Sequence, residues 1–210
     1  MGDGTPVPRL TRLRRSRRGR VALEVDGLPW RVVPDEVVVR CCLAPGIALD
    51  RPLLRSLRRE LESAAALAAA SRALARRDLS AARLRERLGE RGISPPAAER
   101  AVAALLSAGA VDDARLADAR ARALAERGWG DAAVAARLEH EGIDAEHAAA
   151  ALTDLAPEAE RAAALTVRAR DRRSAWRLLA RRGFAAEAIE EALARWTDEA
   201  EAGYDMDSSA

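Results

Sequence analysis

The sequence predicts a mainly α-helical protein of tandem three-helix repeats in an elongated, curved array, preceded by a small N-terminal β-hairpin or three-stranded element. Two observations predict the helical class. Hydrophobic residues make up 49% of the chain but aromatic residues only 3%, so the core must be built mostly from Ala, Leu and Val, which suits closely packed helices. In addition, a glycine-centred pattern recurs along the chain, as expected for stacked repeats.

The first segment, residues 1–19, is predicted to be a disordered basic arm. Residues 1–20 contain seven arginines and one aspartate, a local charge of +6, and offer little apolar surface to bury. These arginines are Arg9, Arg12, Arg14, Arg15, Arg17, Arg18 and Arg20. At the other end, residues 197–210 contain five acidic and no basic residues, and this acidic tail is also predicted to be disordered.

Residues 20–49 are predicted to form the small β element. Residues 21–25 are strand-like, and they are followed by Asp26-Gly27, a hairpin turn signal, and by a second strand-like run over 30–33. The three valines at 37–39 are a candidate third strand. Cys41 and Cys42 are adjacent and poorly placed to form a disulfide with each other, which fits a protein of the reducing cytoplasm.

Helices are predicted from Asp50 onward. Pro52 lies in the first turn of the first helix, a position that proline favours. A long helix over 53–77 and the first helical repeat are predicted to occupy residues 50–109. The second repeat is assigned to 110–156 and the third to 157–196.

Each repeat contains a glycine that is predicted to end a helix. The pattern is Leu-x-x-x-Gly followed by an apolar residue, and it occurs as Leu88-Gly92-Ile93, Leu138-Gly142-Ile143 and Leu179-Gly183-Phe184. The glycine is expected to adopt the left-handed conformation, and the apolar residue after it to fold back onto the last helical turn. Ser94 and Asp144 are then predicted to cap the helices that follow.

The sequence predicts no catalytic, cofactor or metal site. It offers no phosphate-binding glycine loop, and His140 and His147 belong to no nucleophile or zinc motif. Asp112 and Asp113 form one pair of carboxylates, which we interpret as an N-cap and a favourable charge at the start of a helix. No run approaches the roughly 20 apolar residues that cross a membrane. The protein is therefore predicted to be non-enzymatic and without a membrane span.

Two sets of arginines are candidate partner-binding residues. The first lies at i, i+4 and i+8 on the helix that ends at Gly92, and comprises Arg83, Arg87 and Arg91. The second comes from the densest basic stretch of the body of the chain, which also contains Arg170, and comprises Arg168, Arg172, Arg173, Arg177, Arg181 and Arg182. Each set alone is explained best by a solvated helix face, whereas together they suit DNA phosphates or an acidic protein groove.

The tryptophans are assigned to the core. Trp129, Trp176 and Trp196 are predicted to be anchors between the repeats. The aromatic stacking platform of a dedicated single-strand-binding protein is not expected here.

The motifs together resemble the RecX family of recombination regulators. Residues 111–117 are similar to the acidic segment that opens the second repeat of that family, residues 127–130 and 137–143 resemble its glycine-containing segments, and 181–184 fits the end of the third repeat. The motif residues are Asp112, Asp113, Arg115, Leu116, Ala117, Gly128, Gly130, Gly142 and Gly183. Leu116 stands where the family usually has phenylalanine.

The resemblance implies a cytoplasmic protein that binds the RecA recombinase filament and inhibits its ATPase and strand-exchange activities, in recombination, DNA repair and the SOS response. We expect a monomer whose two arginine sets face an acidic groove of RecA or the bound DNA, with Asp112 and Asp113 holding the second repeat in register. The alternative is a helical protein that binds single- or double-stranded DNA directly, without RecA. That alternative predicts tight and steeply salt-dependent binding to bare DNA.

Overall fold

The computed structural model describes residues 7–16, 19–167 and 169–195. These residues form an N-terminal antiparallel sheet followed by helices, so the predicted mainly helical class is confirmed. The strands are β1 Leu10–Ser16, β2 Arg20–Val25 and β3 Leu28–Pro34, in the spatial order β1-β2-β3. The helices are α1 Asp35–Arg40, α2 Arg51–Leu74, α3 Ala81–Gly89, α4 Pro95–Ser107, α5 Asp113–Glu126, α6 Asp131–His140, α7 Ala145–Thr153, α8 Glu158–Thr166, α9 Arg172–Arg181 and α10 at 186–195.

The prediction of a disordered arm over 1–19 is wrong for Leu10–Ser16, which forms the edge strand β1. Leu10 is fully buried and Leu13 packs against the same core, while the arginines between and after them are exposed. The two inward-facing leucines are three residues apart because a β-bulge interrupts the register between Leu10 and Arg12. A regular alternation is therefore absent from the sequence, and the high local charge concealed the strand further. Residues 1–6, 17 and 18 of the predicted arm, and the acidic tail over 197–210, lie outside the described residues.

The candidate third strand at 37–39 is also wrong, because these valines lie in helix α1. Pro34 precedes the helix, and Asp35 and Glu36 occupy its first turn, where acidic side chains favour the positive end of the helix dipole. Val37 is 1% exposed and packs against the sheet, whereas Val39 is 75% exposed. Local helix-start chemistry therefore prevails over the β propensity of the three valines.

The long helix is confirmed as α2, Arg51–Leu74. Asp50 caps it by accepting a hydrogen bond of 2.8 Å from the backbone N–H of Leu53, and proline occupies the first turn as predicted. Leu57 of α2 completes the core beneath the sheet, and the second half of α2 packs along α4. Ser94 is the N-cap residue of α4 as predicted, with an extended backbone and without a side-chain capping bond.

Two bundles of three helices follow. Helices α5, α6 and α7 form the first, which we call the middle bundle; its core includes Leu116, Val134 and Leu138. Helices α8, α9 and α10 form the second, the C-terminal bundle, whose core includes Leu179 and Leu193. Ile143 in the middle bundle and Phe184 and Ile189 in the C-terminal bundle are the other large buried residues. Alanines fill the remaining core positions of both bundles, which allows the short helices to approach closely.

The predicted glycine helix ends are confirmed. Gly92, Gly142 and Gly183 have φ angles of +73°, +75° and +78°. In each case the next residue donates its backbone N–H to the carbonyl of the leucine five residues earlier, at 3.1, 3.0 and 3.2 Å respectively. This pattern is the Schellman motif, which satisfies carbonyls that the end of a helix leaves unpaired. Gly109 and Gly128 end α4 and α5 in the same way.

The described residues separate into two compact units. One contains the chain up to Arg77 together with Leu84–Ala110, and the other contains Asp78–Arg83 together with the chain from Val111 onward. The second unit therefore holds both bundles and the first residues of α3. Within the described part of the chain, none of the helices is both long and apolar enough to cross a membrane.

Candidate functional site

Helix α9 presents the largest concentration of exposed arginine in the predicted sets. Arg172, Arg173, Arg177 and Arg181 are all exposed, and the helix contains no acidic residue. The acid that precedes it, Asp171, accepts a hydrogen bond of 2.7 Å from the backbone N–H of Ser174 and caps the helix. This bond lowers the pKa of Asp171, with the Ser174 hydroxyl and nearby arginines adding to the effect. The carboxylate is thereby engaged at the helix start, and the arginine face stays basic.

Trp176 belongs to this exposed face, and the prediction that it is a core anchor is wrong. The side chain is 37% exposed, whereas the neighbouring Ala175 and Leu179 are fully buried. Trp176 follows Arg172 and Arg173 by four and three residues, so the three side chains share one side of the helix. We call Arg172, Arg173, Trp176, Arg177 and Arg181 the α9 face.

Trp129 does have the predicted anchoring position. It is partly buried against the core of the middle bundle. The guanidinium carbon of Arg137 lies 4.6 Å from the ring centroid and that of Arg182 lies 6.0 Å from it. Because Arg182 follows α9, Trp129 links the two bundles. Trp196 lies outside the described residues.

Arg182 is placed differently from the arginines of the α9 face. It is partly buried, and its guanidinium donates hydrogen bonds to the carbonyls of Arg127 and Gly128 at 2.8 and 3.2 Å. Its own carbonyl accepts a bond of 2.9 Å from the N–H of Gly130. Arg182 therefore joins the two bundles and contributes less than its neighbours to an open surface.

Two of the motif segments meet at this junction. A Cβ added at Gly130 would lie within 3.0 Å of the backbone of Gly183 and Phe184, and one added at Gly183 would lie 2.6 Å from the Cβ of Ala133. Gly130 has a φ of −78°, which any residue can adopt. Its lack of a side chain is therefore required by the close approach of the two backbones rather than by its conformation.

Charged groups reinforce the same junction. Arg161 of α8 has a side chain only 12% exposed, donates to the carbonyl of Trp129 at 3.0 Å and forms an ion pair with Asp131. Glu158, the first residue of α8, accepts a hydrogen bond of 2.7 Å from the N–H of Asp131. Sequence reasoning missed Arg161 and Glu158, because no spacing links them to Asp131 some 30 residues earlier.

A second junction of the same form connects the middle bundle to the start of α3. Ser80 donates its hydroxyl to the carbonyl of Glu141 at 2.6 Å, and the side chain of Arg83 donates to the carbonyl of His140. Gly142 faces the first turn of α3, since an added Cβ would lie 3.0 Å from the Cβ of Ala82. All of these residues lie in the second compact unit.

Asp112 and Asp113 have different roles. Asp112 caps α5 by accepting a hydrogen bond of 2.9 Å from the N–H of Arg115, as predicted. Asp113 instead reaches α3, where its carboxylate accepts from the N–H of Ala81 at 2.9 Å. The other residues of that motif contribute differently: Leu116 and Ala117 are buried in the middle bundle, while Arg115 is exposed.

The first predicted arginine set is less uniform than its spacing suggests. Arg83 is partly buried and engaged with His140, Arg87 is partly buried, and Arg91 is exposed beyond the end of α3. Arg83 belongs to the second compact unit and the other two belong to the first. Arg168, from the second set, lies outside the described residues.

The histidines and cysteines form no cluster that suits a metal within the described ranges. His147 lies beside Asp144, with its Nδ1 atom 2.8 Å from the carboxylate. Asp144 caps α7 through the N–H of His147 at 2.9 Å, as predicted. Hydrogen bonding to Asp144 raises the pKa of His147, against a smaller opposing effect of burial. Cys41 is buried and Cys42 is exposed, and both are free thiols.

Comparison with known proteins identifies similar sequences. The family model for the second three-helix domain of RecX matches residues 112–152, which nearly coincide with the middle bundle. A regulatory protein RecX of Stenotrophomonas maltophilia (strain R551-3) is 40% identical over 129 residues, 57% of this chain and 79% of the relative. Another, from Chromohalobacter salexigens, is 37% identical over 134 residues, 60% of this chain and 88% of the relative.

Solved structures share the fold. The crystal structure of a regulatory protein RecX superposes with a TM-score of 0.77 at 20% identity, covering 87% of this chain and 97% of that one. The crystal structure of RecX from Lactobacillus salivarius gives a TM-score of 0.60 at 16% identity, covering 64% and 96% respectively. At such low identity these two likenesses concern the fold alone.

Proposed function

Since this chain belongs to the RecX family of regulatory proteins, we propose that it binds the filament of RecA recombinase and inhibits its ATPase and strand-exchange activities. It acts as a cytoplasmic monomer in recombination and DNA repair. The α9 face contacts an acidic surface of the filament or the phosphates of its DNA. No catalytic residue, cofactor or metal is part of this proposal.

The observation that supports this assignment is the composition of the α9 face. It has four exposed arginines without an acid in the same helix, and an exposed tryptophan between them. Guanidinium groups bind carboxylates and phosphates through paired, charge-assisted hydrogen bonds. Tryptophan and arginine are the residues that most often dominate the binding energy of protein interfaces. This combination suits an acidic partner better than it suits solvent.

The junctions between the helical sets support the proposal in a different way. A binding face on α9 can discriminate between partners only if α9 is held firmly relative to the rest of its unit. Gly130 against Gly183, together with Arg161, Glu158 and Arg182, fixes the end of α9 on the middle bundle through hydrogen bonds and close backbone packing. Asp113 of α5 likewise holds the start of α3 against the middle bundle.

The test is the single-strand-dependent ATPase rate of the cognate RecA, titrated with substoichiometric amounts of this protein. Inhibition is expected with the natural sequence, and it should be lost or greatly weakened by charge reversal at Arg173, Arg177 and Arg181. Arg122→Glu on α5 is the matched control, because Arg122 is an exposed arginine outside the α9 face. Unchanged ATPase with the natural protein at every ratio would refute the proposal.

A second measurement distinguishes the filament proposal from the alternative, which is direct DNA binding without RecA. Binding of the isolated protein to bare single-stranded and duplex DNA is compared with its binding to the RecA–DNA filament at the same salt concentration. The filament proposal expects α9 variants to lose filament binding. If those variants instead lose tight, steeply salt-dependent binding to bare DNA while RecA has no effect, the alternative is favoured.

A further inference from the structure

The N-terminal sheet has two unlike sides. On one side Leu10, Val21, Leu23 and Val33 are buried against α1 and α2. Side chains alternate along each strand, so the residues between them face the other way. On that opposite side Val32 of β3 remains 52% exposed. We call this opposite side the outer sheet face.

Arginines from β1 and β2 lie on the outer sheet face. The register pairs Arg14 with Ala22 and Ala22 with Val32, which places these three side chains in one row across the sheet. The next row begins with Arg12, which pairs with Glu24, and Arg20 lies in the row on the other side. The three arginines are exposed, whereas Glu24 is partly buried.

The N-terminal segment that contains the sheet is positively charged as a whole. Residues 7–34 contain eight arginines and two acidic residues, Glu24 and Asp26, which gives a local charge of +6. Asp26 is occupied at the hairpin turn, where its carboxylate accepts a hydrogen bond of 3.0 Å from the N–H of Arg9. The outer sheet face therefore carries one carboxylate, Glu24, among its arginines.

A tryptophan is displaced from the regular ladder at the edge of the sheet. Leu23 pairs with Arg31 and Glu24 pairs with Pro29, so Trp30 is the additional residue of a β-bulge in β3. Bulges redirect a side chain away from the regular alternation. Trp30 is 39% exposed, and the guanidinium carbon of Arg31 lies 5.1 Å from its ring centroid. Part of the aromatic surface of Trp30 is therefore accessible to a ligand, next to a basic pair of strands.

From these features we infer that the N-terminal sheet binds single-stranded nucleic acid. Trp30 stacks on an unpaired base, Val32 provides apolar contact beside it, and the arginines of β1 and β2 hold the phosphates. Stacking on tryptophan requires a base that is not already stacked in a duplex, which is why a single strand suits this surface better than a double helix. The phosphate chain supplies the negative charge that the arginines require.

This inference is independent of the proposed action on RecA, because it concerns the isolated protein and another set of residues. The strand of seven residues in β1 is roughly 20 Å long, enough for a few nucleotides. The ligand chemistry is common to DNA and RNA. Oligomers of both are therefore used as probes, and comparable affinity for the two is expected.

The experiment measures fluorescence anisotropy of a labelled oligonucleotide of about 15 nucleotides with the full-length protein, as single strand and as duplex. Trp30→Ala should weaken single-strand binding by roughly tenfold or more, whereas Trp30→Phe, which retains an aromatic face, should weaken it much less. Leu106→Ala on α4 is the control, since it removes an apolar side chain of similar exposure, 41%, outside both proposed binding surfaces. Far-ultraviolet circular dichroism verifies that each variant is folded.

Salt dependence tests the arginines separately. Replacing Arg12 and Arg14 by glutamine should reduce the slope of log affinity against log salt by about 0.7 for each lost phosphate contact. The inference is overturned if the protein binds no single strand, or if the duplex binds equally well and Trp30→Ala has no effect. It is also overturned if polyglutamate competes as effectively as the oligonucleotide, since the surface would then recognise charge alone.

Discussion

The backbone N–H of Ala81 donates a hydrogen bond of 2.9 Å to the carboxylate of Asp113. Ala81 is the first residue of α3 and Asp113 the first residue of α5. The carboxylate thus satisfies one of the N–H groups that the start of a helix leaves unpaired. The contact recurs between the bundles, where the N–H of Asp131, the first residue of α6, donates to Glu158, the first residue of α8.

Replacing Asp113 should destabilise the second compact unit. Asp113→Ala leaves the N–H of Ala81 without its charged acceptor, and the expected loss is about 1–2 kcal/mol in the free energy of unfolding. Glu158→Ala should act similarly at the other junction. Urea denaturation followed by circular dichroism measures both.

The control is Glu126→Ala, which removes an exposed carboxylate from the last residue of α5. A change below about 0.5 kcal/mol is expected there, as for most surface substitutions. Equal destabilisation by Asp113→Ala and Glu126→Ala would contradict a specific role of the Asp113 contact.

Gly130→Ala should be strongly destabilising although alanine tolerates the backbone conformation. The new Cβ would overlap the backbone of Gly183 and Phe184, so the middle and C-terminal bundles must separate or shift. We expect a loss of about 1–3 kcal/mol or more, as for overpacked cores. The thermal midpoint and the urea midpoint should both fall.

Gly89→Ala is the matched control, because the same substitution is expected to stabilise the protein at this position. Gly89 is the last residue of α3, and an added Cβ there meets nothing within 4 Å. Alanine stabilises a helix relative to glycine by up to about 1 kcal/mol. If Gly89→Ala and Gly130→Ala were equally harmful, close packing would not explain why Gly130 is a glycine.

The sequence was sufficient to predict the elements whose cause is local. The glycine ends at Gly92, Gly142 and Gly183 follow from the residues within one helical turn, and so do the caps at Asp112 and Asp144. The strand β1 was missed because seven arginines dominate the segment and because a β-bulge separates the inward-facing Leu10 and Leu13 by three residues instead of two. A high local charge is therefore a weak indicator of disorder, because a strand with one solvated side can carry many charged residues.

The candidate site was harder to predict because its organisation depends on contacts between distant residues. The spacing of Arg177, Arg181 and Arg182 is that of one basic stretch, yet Arg182 contacts Arg127 and Gly128, which lie more than 50 residues earlier. Nothing in the local pattern distinguishes it from Arg181. The exposure of Trp176 likewise depends on which side of α9 packs on α8 and α10.

The Asp144–His147 pair predicts a pH dependence of known sign. Because the hydrogen bond to Asp144 raises the pKa of His147 in the folded state, its stabilising contribution is complete below the ordinary histidine pKa of 6.5 and is lost as the pH rises through the higher folded value. NMR titration of the His147 ring should give a pKa above 6.5.

Asp144→Asn is the discriminating variant for this pair. Asparagine retains the capping acceptor for α7 but removes the charge, so the pKa of His147 should fall towards its ordinary value while α7 remains folded. The pKa of Asp144 is itself lowered, mainly by the hydrogen bonds from His147. Its contribution to stability should therefore persist above 3.8 and disappear as the pH falls through the lowered value. An unchanged His147 titration in Asp144→Asn would exclude the carboxylate as the cause.

Trp176→Ala should weaken filament binding without lowering stability, whereas Trp129→Ala should lower stability. Trp176 is 37% exposed on the α9 face, so its removal should leave the unfolding midpoint nearly unchanged while weakening binding to the RecA–DNA filament by roughly tenfold or more. Trp129 packs in the middle bundle and contacts Arg182, so its removal should cost about 3 kcal/mol of stability. Filament co-sedimentation and thermal denaturation measure the two quantities on the same samples. If Trp176→Ala lowered stability as much as Trp129→Ala and left filament binding intact, Trp176 would be a packing residue and the α9 face would lose its aromatic contact.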